Sequence, residues 1–156
     1  MNAKPGTVNL ELKSGTVTIE LLPNLAPNHV QRITELVSEG FYDGVVFHRV
    51  IDGFMAQTGD PTGTGTGRSS KANLRAEFSR EPHLRGVCSM ARSNDPNSAN
   101  SQFFICLADS PWLDGQYSVW GRVTGGMEHV DAIKKGSSSN NGMVTDPDRI
   151  IKMTLP

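Results

Sequence analysis

The 156-residue chain predicts an all-β fold with two helices, an antiparallel sheet closed into a barrel whose ends the helices cover. Short strand-like runs recur along the whole sequence, two helix-like stretches stand far apart, and βα alternation of the kind that builds a parallel sheet is missing. No linker or repeat divides the chain, so a single domain over 1–156 is expected. A chain of this length can bury about two thirds of its extended surface without disulfide or metal.

Each element has a local reason. Val8 to Lys13 and Thr16 to Leu21 alternate in strand fashion around Ser14-Gly15, an opening hairpin with Val8, Leu10 and Leu12 on one face. Pro27 suits a first helical turn, Val30, Ile33, Leu36 and Val37 form one apolar stripe, and Gly40 fits a left-handed cap. Strand-like runs follow at Val45 to Ile51, Phe54 to Thr58, Val87 to Ala91, Gln102 to Leu107, Ser118 to Val123 and Arg149 to Leu155. A second, short helix carries Met127, Val130 and Ile133 before Gly136. Ser137 to Gly142 is polar and reads as a mobile surface loop.

Composition narrows the function. Fifteen Lys+Arg stand against sixteen Asp+Glu, a net charge of -1 with no basic block, so neither nucleic acid nor a membrane surface is an expected partner. Cys88 and Cys106 lie in apolar runs without CxxC spacing, which predicts buried free thiols and a reducing, cytoplasmic setting. Met1 to Gly15 contains no apolar leader core, and no run approaches the length of a membrane span. Thr62-Gly63-Thr64-Gly65-Thr66-Gly67 resembles a phosphate cradle but lacks both GxGxxG spacing and the Lys-Ser/Thr ending of a P-loop. A tight surface loop that brings backbone close to a ligand suits it better.

The chemistry concentrates around Phe47-His48-Arg49-Val50-Ile51-Asp52-Gly53-Phe54-Met55-Ala56-Gln57, where a permanent charge sits in an apolar run. Strand alternation puts Phe47, Arg49 and Ile51 on one side, and Met55 and Gln57 share a side after the turn at Gly53. An arginine whose stem merely covers a barrel wall is the plain alternative. Two further segments argue against it. Gln102 and Phe104 repeat the pairing of amide and apolar group, and Trp112-Leu113-Asp114-Gly115 puts an indole donor on a loop. His29, His48, His83 and His129 show no metal-ligand spacing, and no nucleophile elbow occurs. His48 points away from Arg49 and reads as a hydrogen-bonded core histidine. A fixed cation, amide groups and an apolar pocket suit a substrate whose bonds are rearranged without being broken, with no cofactor and no metal.

Phe47-His48-Arg49-Val50-Ile51 with Gly53-Phe54-Met55-Ala56-Gln57-x-Gly59-Asp60, then Ser101-Gln102-Phe103-Phe104-Ile105, Trp112-Leu113-Asp114-Gly115 and Val119-x-Gly121-x-Val123, resembles the cyclophilins over nearly the whole chain. The short Gly/Thr loop gives the resemblance a bacterial cast. It implies a peptidyl-prolyl cis-trans isomerase on a closed eight-stranded antiparallel barrel capped by two helices, with its groove on the barrel's outer surface. Arg49 matches the family's catalytic arginine, while Phe54, Met55, Phe104 and Leu113 match its proline-pocket walls. Gln57 and Gln102 match the polar positioning groups, and Ala91, Arg92 and Ser93 the strip along which a peptide backbone runs. Trp112 matches the indole donor, and Gly65, Thr66 and Gly67 the turn bordering a neighbouring pocket. Departures fall at Tyr117, where many eukaryotic members carry histidine, at Arg92, commonly asparagine, and at Arg68, commonly glycine. The implied partners are proline-containing peptides, unfolded or folding proteins and cyclosporin-like cyclic peptides, met by a monomer. Rival readings are a proline-peptide binding module or folding chaperone without turnover, and a small-molecule carrier using the barrel interior.

Overall fold

A computed structural model describes residues 6–156, with Ser138 given by its backbone alone. Residues 1–5, part of the single domain expected over 1–156 and of the stretch in which no leader is read, lie outside the described residues. The elements run β1 (Thr7–Leu12), β2 (Gly15–Leu21), α1 (Pro27–Ser38), β3 (Arg49–Ile51), β4 (Met55–Thr58), β5 (Val87–Met90), β6 (Phe103–Cys106), β7 (Val119–Gly125), α2 (Met127–Asp131) and β8 (Lys152–Thr154). Single 3₁₀ turns occupy Pro111–Leu113 and Ser138–Asn140.

The strands form one antiparallel sheet in the order β3-β4-β6-β5-β7-β2-β1-β8. The expected closed barrel is thereby corrected: the ladder is open, with β3 and β8 as its edges. Both edge strands are only three residues long, and the chain between them turns left-handed at Asn141 and Asp146, which breaks a regular ladder. Isolated bridges from Val46 to Arg149 and from Arg49 to Met143 span the gap instead.

Alternation sorts side chains onto two faces. Along β6, Phe103 and Ile105 enter the main core with Val50, Ala56 and Trp120, while Phe104 and Cys106 join Met55, Leu113 and Val119 in a separate cluster on the other face. Both faces of β6 are covered, so its sequence reads as a continuous apolar run. The filled interior leaves the carrier reading without support. Alternation fails at one predicted place. Phe47 is fully buried in the main core and does not share the side of Arg49 and Ile51, because the run from Val45 is irregular and β3 begins only at Arg49.

The stripe of α1 is buried as its period predicts, and the helix packs against β7 and β8; α2 packs against β2. Ala26 gives α1 no side-chain cap. The Glu77 carboxylate, distant in sequence, accepts instead from the Asn28 and His29 backbone N–H groups at 3.0 Å, where the helix dipole favours negative charge.

Candidate active site

Three neighbouring strands build the site by register. Arg49 on β3 pairs with Gln57 on β4, and Gln57 with Phe104 on β6, so cation, amide and phenyl ring stand in one row on the outer face. The next row is Ile51, Met55 and Cys106, which extends the apolar surface. Phe54 precedes β4 in the turn, and its ring lies 5.6 Å from that of Trp112, which is 64% exposed. Pro111–Leu113 folds over the outer face and buries Leu113 beside Phe104. Arg49, Phe54, Met55, Gln57, Phe104 and Leu113 line a cavity of about 120 Å³, to which Ala91, Arg92 and Tyr117 also contribute.

The Arg49 guanidinium is held only by neutral acceptors. Nε donates to the Asn141 carbonyl at 2.9 Å, Nη2 to Asn141 Oδ1 at 3.2 Å, and Nη1 to Gln57 Oε1 at 3.2 Å. No carboxylate pairs with it among the described residues. Of its five N–H groups, two remain for a ligand. The segment expected to be a mobile loop is therefore the part that aims the cation: Asn141 sits at φ 56, and Gly142 donates to Ser137 while accepting from Val50.

Hydrogen bonds continue from Gln57 to the glycine loop. Gln57 Nε2 donates to Gln102 Oε1 at 3.0 Å, and Gln102 Nε2 donates to the carbonyls of Gly65 at 3.1 Å and Gly67 at 2.9 Å. Beneath the loop lies Asp60, fully buried, accepting from the backbone N–H groups of Thr62, Thr64, Gly65 and Gly67 and from the Thr62 hydroxyl. Burial pushes the Asp60 pKa up, but the bonds from Gly67, Thr62 and Gly65 outweigh it and hold the carboxyl at about 2. Gly67 must be glycine, since a Cβ there would run into the Asp60 carboxylate. The loop is thus a cradle filled by the protein's own carboxylate.

The floor beneath Phe104 has polar support. His83, stacked at 6.3 Å from the Phe104 ring, bonds through Nε2 to Ser89 Oγ at 2.7 Å and through Nδ1 to Asp114 Oδ1 at 3.2 Å. Burial lowers its pKa, with Asp114 opposing. Tyr117 meets Phe104 edge-on at 5.4 Å, and Arg92 lies over the Tyr117 ring at 4.7 Å. His48 is buried as expected, yet its Nδ1 finds no hydrogen-bond partner among the described residues, which corrects the hydrogen-bonded reading. Cys88 and Cys106 are free and buried, and burial pushes the Cys106 thiol up to about 12.

All the residues singled out by sequence meet around two adjoining cavities. Ala91, Arg92, Ser93 and Gln102 border the second cavity with Gly65, Thr66 and Gly67, and Trp112 stands at the outer rim against Phe54. The sequence reading gave Asn141 no role of its own, and it named Asp60 in the motif and His83 among the histidines without assigning either a part in the site. A lone Asp after Gly59 was the only available signal for the second, and a polar Ser/Asn tract hid the first.

Comparison with known proteins gives the family and the fold. The family model for cyclophilin type peptidyl-prolyl cis-trans isomerases matches residues 7–155. A probable peptidyl-prolyl cis-trans isomerase of Brucella suis is 56% identical over 160 residues, covering 96% of this chain and 82% of the relative. A peptidyl-prolyl cis-trans isomerase-like 1 of Aspergillus fumigatus is 40% identical over 149 residues, covering 93% and 92%. Among solved structures, a cyclophilin from Hirschia baltica superposes with TM-score 0.86 at 30% identity, covering 98% of this chain and 74% of that one. A Cryptosporidium parvum cyclophilin type isomerase, crystallised in the presence of the dipeptide Ala-Pro, gives 0.87 at 28% identity, covering 96% and 98%. With the outer-face row of Arg49, Gln57 and Phe104 on its sheet and this match along almost its whole length, the chain belongs to the cyclophilin-type peptidyl-prolyl cis-trans isomerases.

Proposed function

We propose that this isomerase accelerates rotation about X-Pro bonds in peptides and folding proteins by non-covalent means, with Arg49 as the catalytic donor and the cavity against Phe54, Met55, Phe104 and Leu113 as the proline pocket. One observation carries the reading: a guanidinium fixed by neutral acceptors at a cavity walled in part by Phe54, Met55, Phe104 and Leu113, its charge uncancelled and two N–H groups to spare.

Amide resonance holds the X-Pro bond near planarity with a rotational barrier of roughly 18 to 20 kcal/mol, and exchange takes tens to hundreds of seconds. Twisting removes the resonance and leaves the proline nitrogen pyramidal and basic. A donor aimed at that nitrogen binds the twisted form better than either planar form, which is the requirement for catalysis. Arginine stays charged at any ordinary pH, so it acts as a fixed electrostatic donor and not as a general acid. A preorganised donor contributes about 3 to 4 kcal/mol, at most roughly a thousandfold. The remainder comes from holding the ring in the pocket while Gln57, Gln102 and Trp112 grip the backbone beside it, so that one side turns against a fixed other side. Cyclosporin-like cyclic peptides would occupy the same groove and compete.

Exchange NMR or a protease-coupled assay on an X-Pro tetrapeptide tests the proposal. Accelerated cis-trans exchange at catalytic protein concentration supports it, whereas peptide binding with no acceleration would establish the binding-module reading in its place.

A further inference from the structure

The second cavity holds charge that the isomerisation scheme does not use. It measures about 320 Å³ and shares Gln57, Ala91 and Arg92 with the smaller one. Two of its lining residues, Arg68 and Arg92, are cations, and no aspartate or glutamate lines it. Arg92 is rigidly set: Nε and Nη2 donate to the Gln116 carbonyl at 3.0 and 2.8 Å, Nη1 to the Ser93 carbonyl at 2.9 Å. Its guanidinium lies over the rings of Tyr117 at 4.7 Å and Phe78 at 5.9 Å. Carbonyls and ring faces orient the group but leave its charge whole.

Arg68 is exposed and makes one long hydrogen bond, 3.4 Å, to Asn73 Oδ1. Among the described residues neither arginine has a carboxylate within 4.0 Å, whereas Arg85 and Arg122 each hold one at 2.6 Å. Two other acids keep their charge but do not line the cavity. Asp60 is enclosed under the glycine loop, and Asp95 accepts from the Asn97 N–H. A chain of net charge -1 does not make this patch positive by its composition; the local arrangement does.

We propose that this cavity is a subsite for an anionic side chain, so that the enzyme favours substrates with aspartate or glutamate close to the proline in sequence, Arg68 and Arg92 supplying the attraction. The inference rests on the proline-pocket reading, which fixes where the substrate chain enters. An extended peptide advances about 3.3 Å per residue and alternates its faces, so the selected residue lies within about three positions of the proline.

The test is turnover of an X-Pro peptide series with Glu, Gln or Lys placed in turn at each of the three positions before and after the proline. At one position kcat/KM should rank Glu over Gln over Lys, with Glu above Lys by about tenfold at low salt, as expected for partly exposed pairs, and the order should compress at high salt. Arg68→Glu should invert the ranking at that position. Equal turnover of the three peptides at every position, or a Glu preference indifferent to both salt and Arg68→Glu, would overturn the subsite. If no peptide is turned over, the isomerase scheme fails separately, and calorimetric affinities of the same Glu and Lys peptides still decide the subsite by the same ranking.

Discussion

Replacing Asp60 by asparagine is expected to loosen the groove from behind. The Asp60 carboxyl is held at about 2 against an ordinary 3.8, because the hydrogen bonds from Gly67, Thr62 and Gly65 outweigh the upward push of burial. That gap corresponds to about 2–3 kcal/mol of stability at neutral pH. An amide at position 60 also turns an N–H group toward backbone donors, so the loss should be no smaller. For a domain of this size the melting temperature should fall by about 5–10 °C. The pKa is lower in the folded state, so this stabilisation is whole above the unfolded value of 3.8 and is lost as pH falls toward 2. Wild type and Asp60→Asn should therefore converge between pH 4 and pH 2. Turnover should fall as well, by about 3–10-fold, since the Gly65 and Gly67 carbonyls hold Gln102, Gln102 holds Gln57, and Gln57 holds Arg49. Thermal unfolding across pH, with isomerase turnover on the same samples, reads both effects. A melting temperature within about 1 °C of wild type at pH 7, or a gap that persists unchanged at pH 2, would refute the reasoning.

Other outcomes follow from the same geometry. Burial lowers the pKa of His29, His48 and His83, so as pH falls through the ordinary value of 6.5 the unfolded chain takes up protons more readily than the fold does. Stability should be full above pH 6.5 and decline below it; a urea midpoint constant from pH 7 to pH 5 would contradict this. Asn141→Gly keeps the left-handed backbone and its carbonyl but removes the Oδ1 bond to Arg49, so kcat should drop about 2–10-fold with KM nearly unchanged. Asn141→Asp keeps the acceptor but pairs the cation, and should slow turnover too. Unchanged rates in both variants would remove Asn141 from the positioning of Arg49. Phe104→Ala opens the buried pocket wall, and should raise KM, lower kcat and destabilise the protein by about 3 kcal/mol, measured by steady-state kinetics and urea unfolding.

Sequence made the strands legible wherever period and burial coincide, as in β1 and β2, where Val8, Leu10, Val17 and Ile19 are all fully buried. It extended β3 back to Val45 because Phe47 fits an alternating pattern, although that ring enters the core from irregular backbone. Barrel closure was over-read for a related reason. Apolar content from Arg149 onward suggested a full strand, but pairing needs backbone geometry that the turns at Asn141 and Asp146 interrupt, leaving β8 three residues. Arg49, Gln57 and Phe104 could be found because a charge, an amide and a ring stand out in apolar strand-like runs and because those runs carry the family resemblance; the register row that unites them came from the structure. Asn141 could not: 92 residues separate it from Arg49, and its contribution is largely a carbonyl that any residue carries. Asp60 stood in the motif, but its role was hidden because most of its partners are backbone N–H groups, which leave no trace in side-chain patterning.

In the proposed mechanism an uncancelled guanidinium binds the twisted imide better than the planar one. Exchange NMR on a single X-Pro peptide, with wild type and Arg49→Ala at matched saturation, measures catalysed rotation and affinity together. Rotation should slow by one to three orders of magnitude while affinity weakens far less. An unchanged exchange rate, or an affinity loss as large as the rate loss, would contradict it.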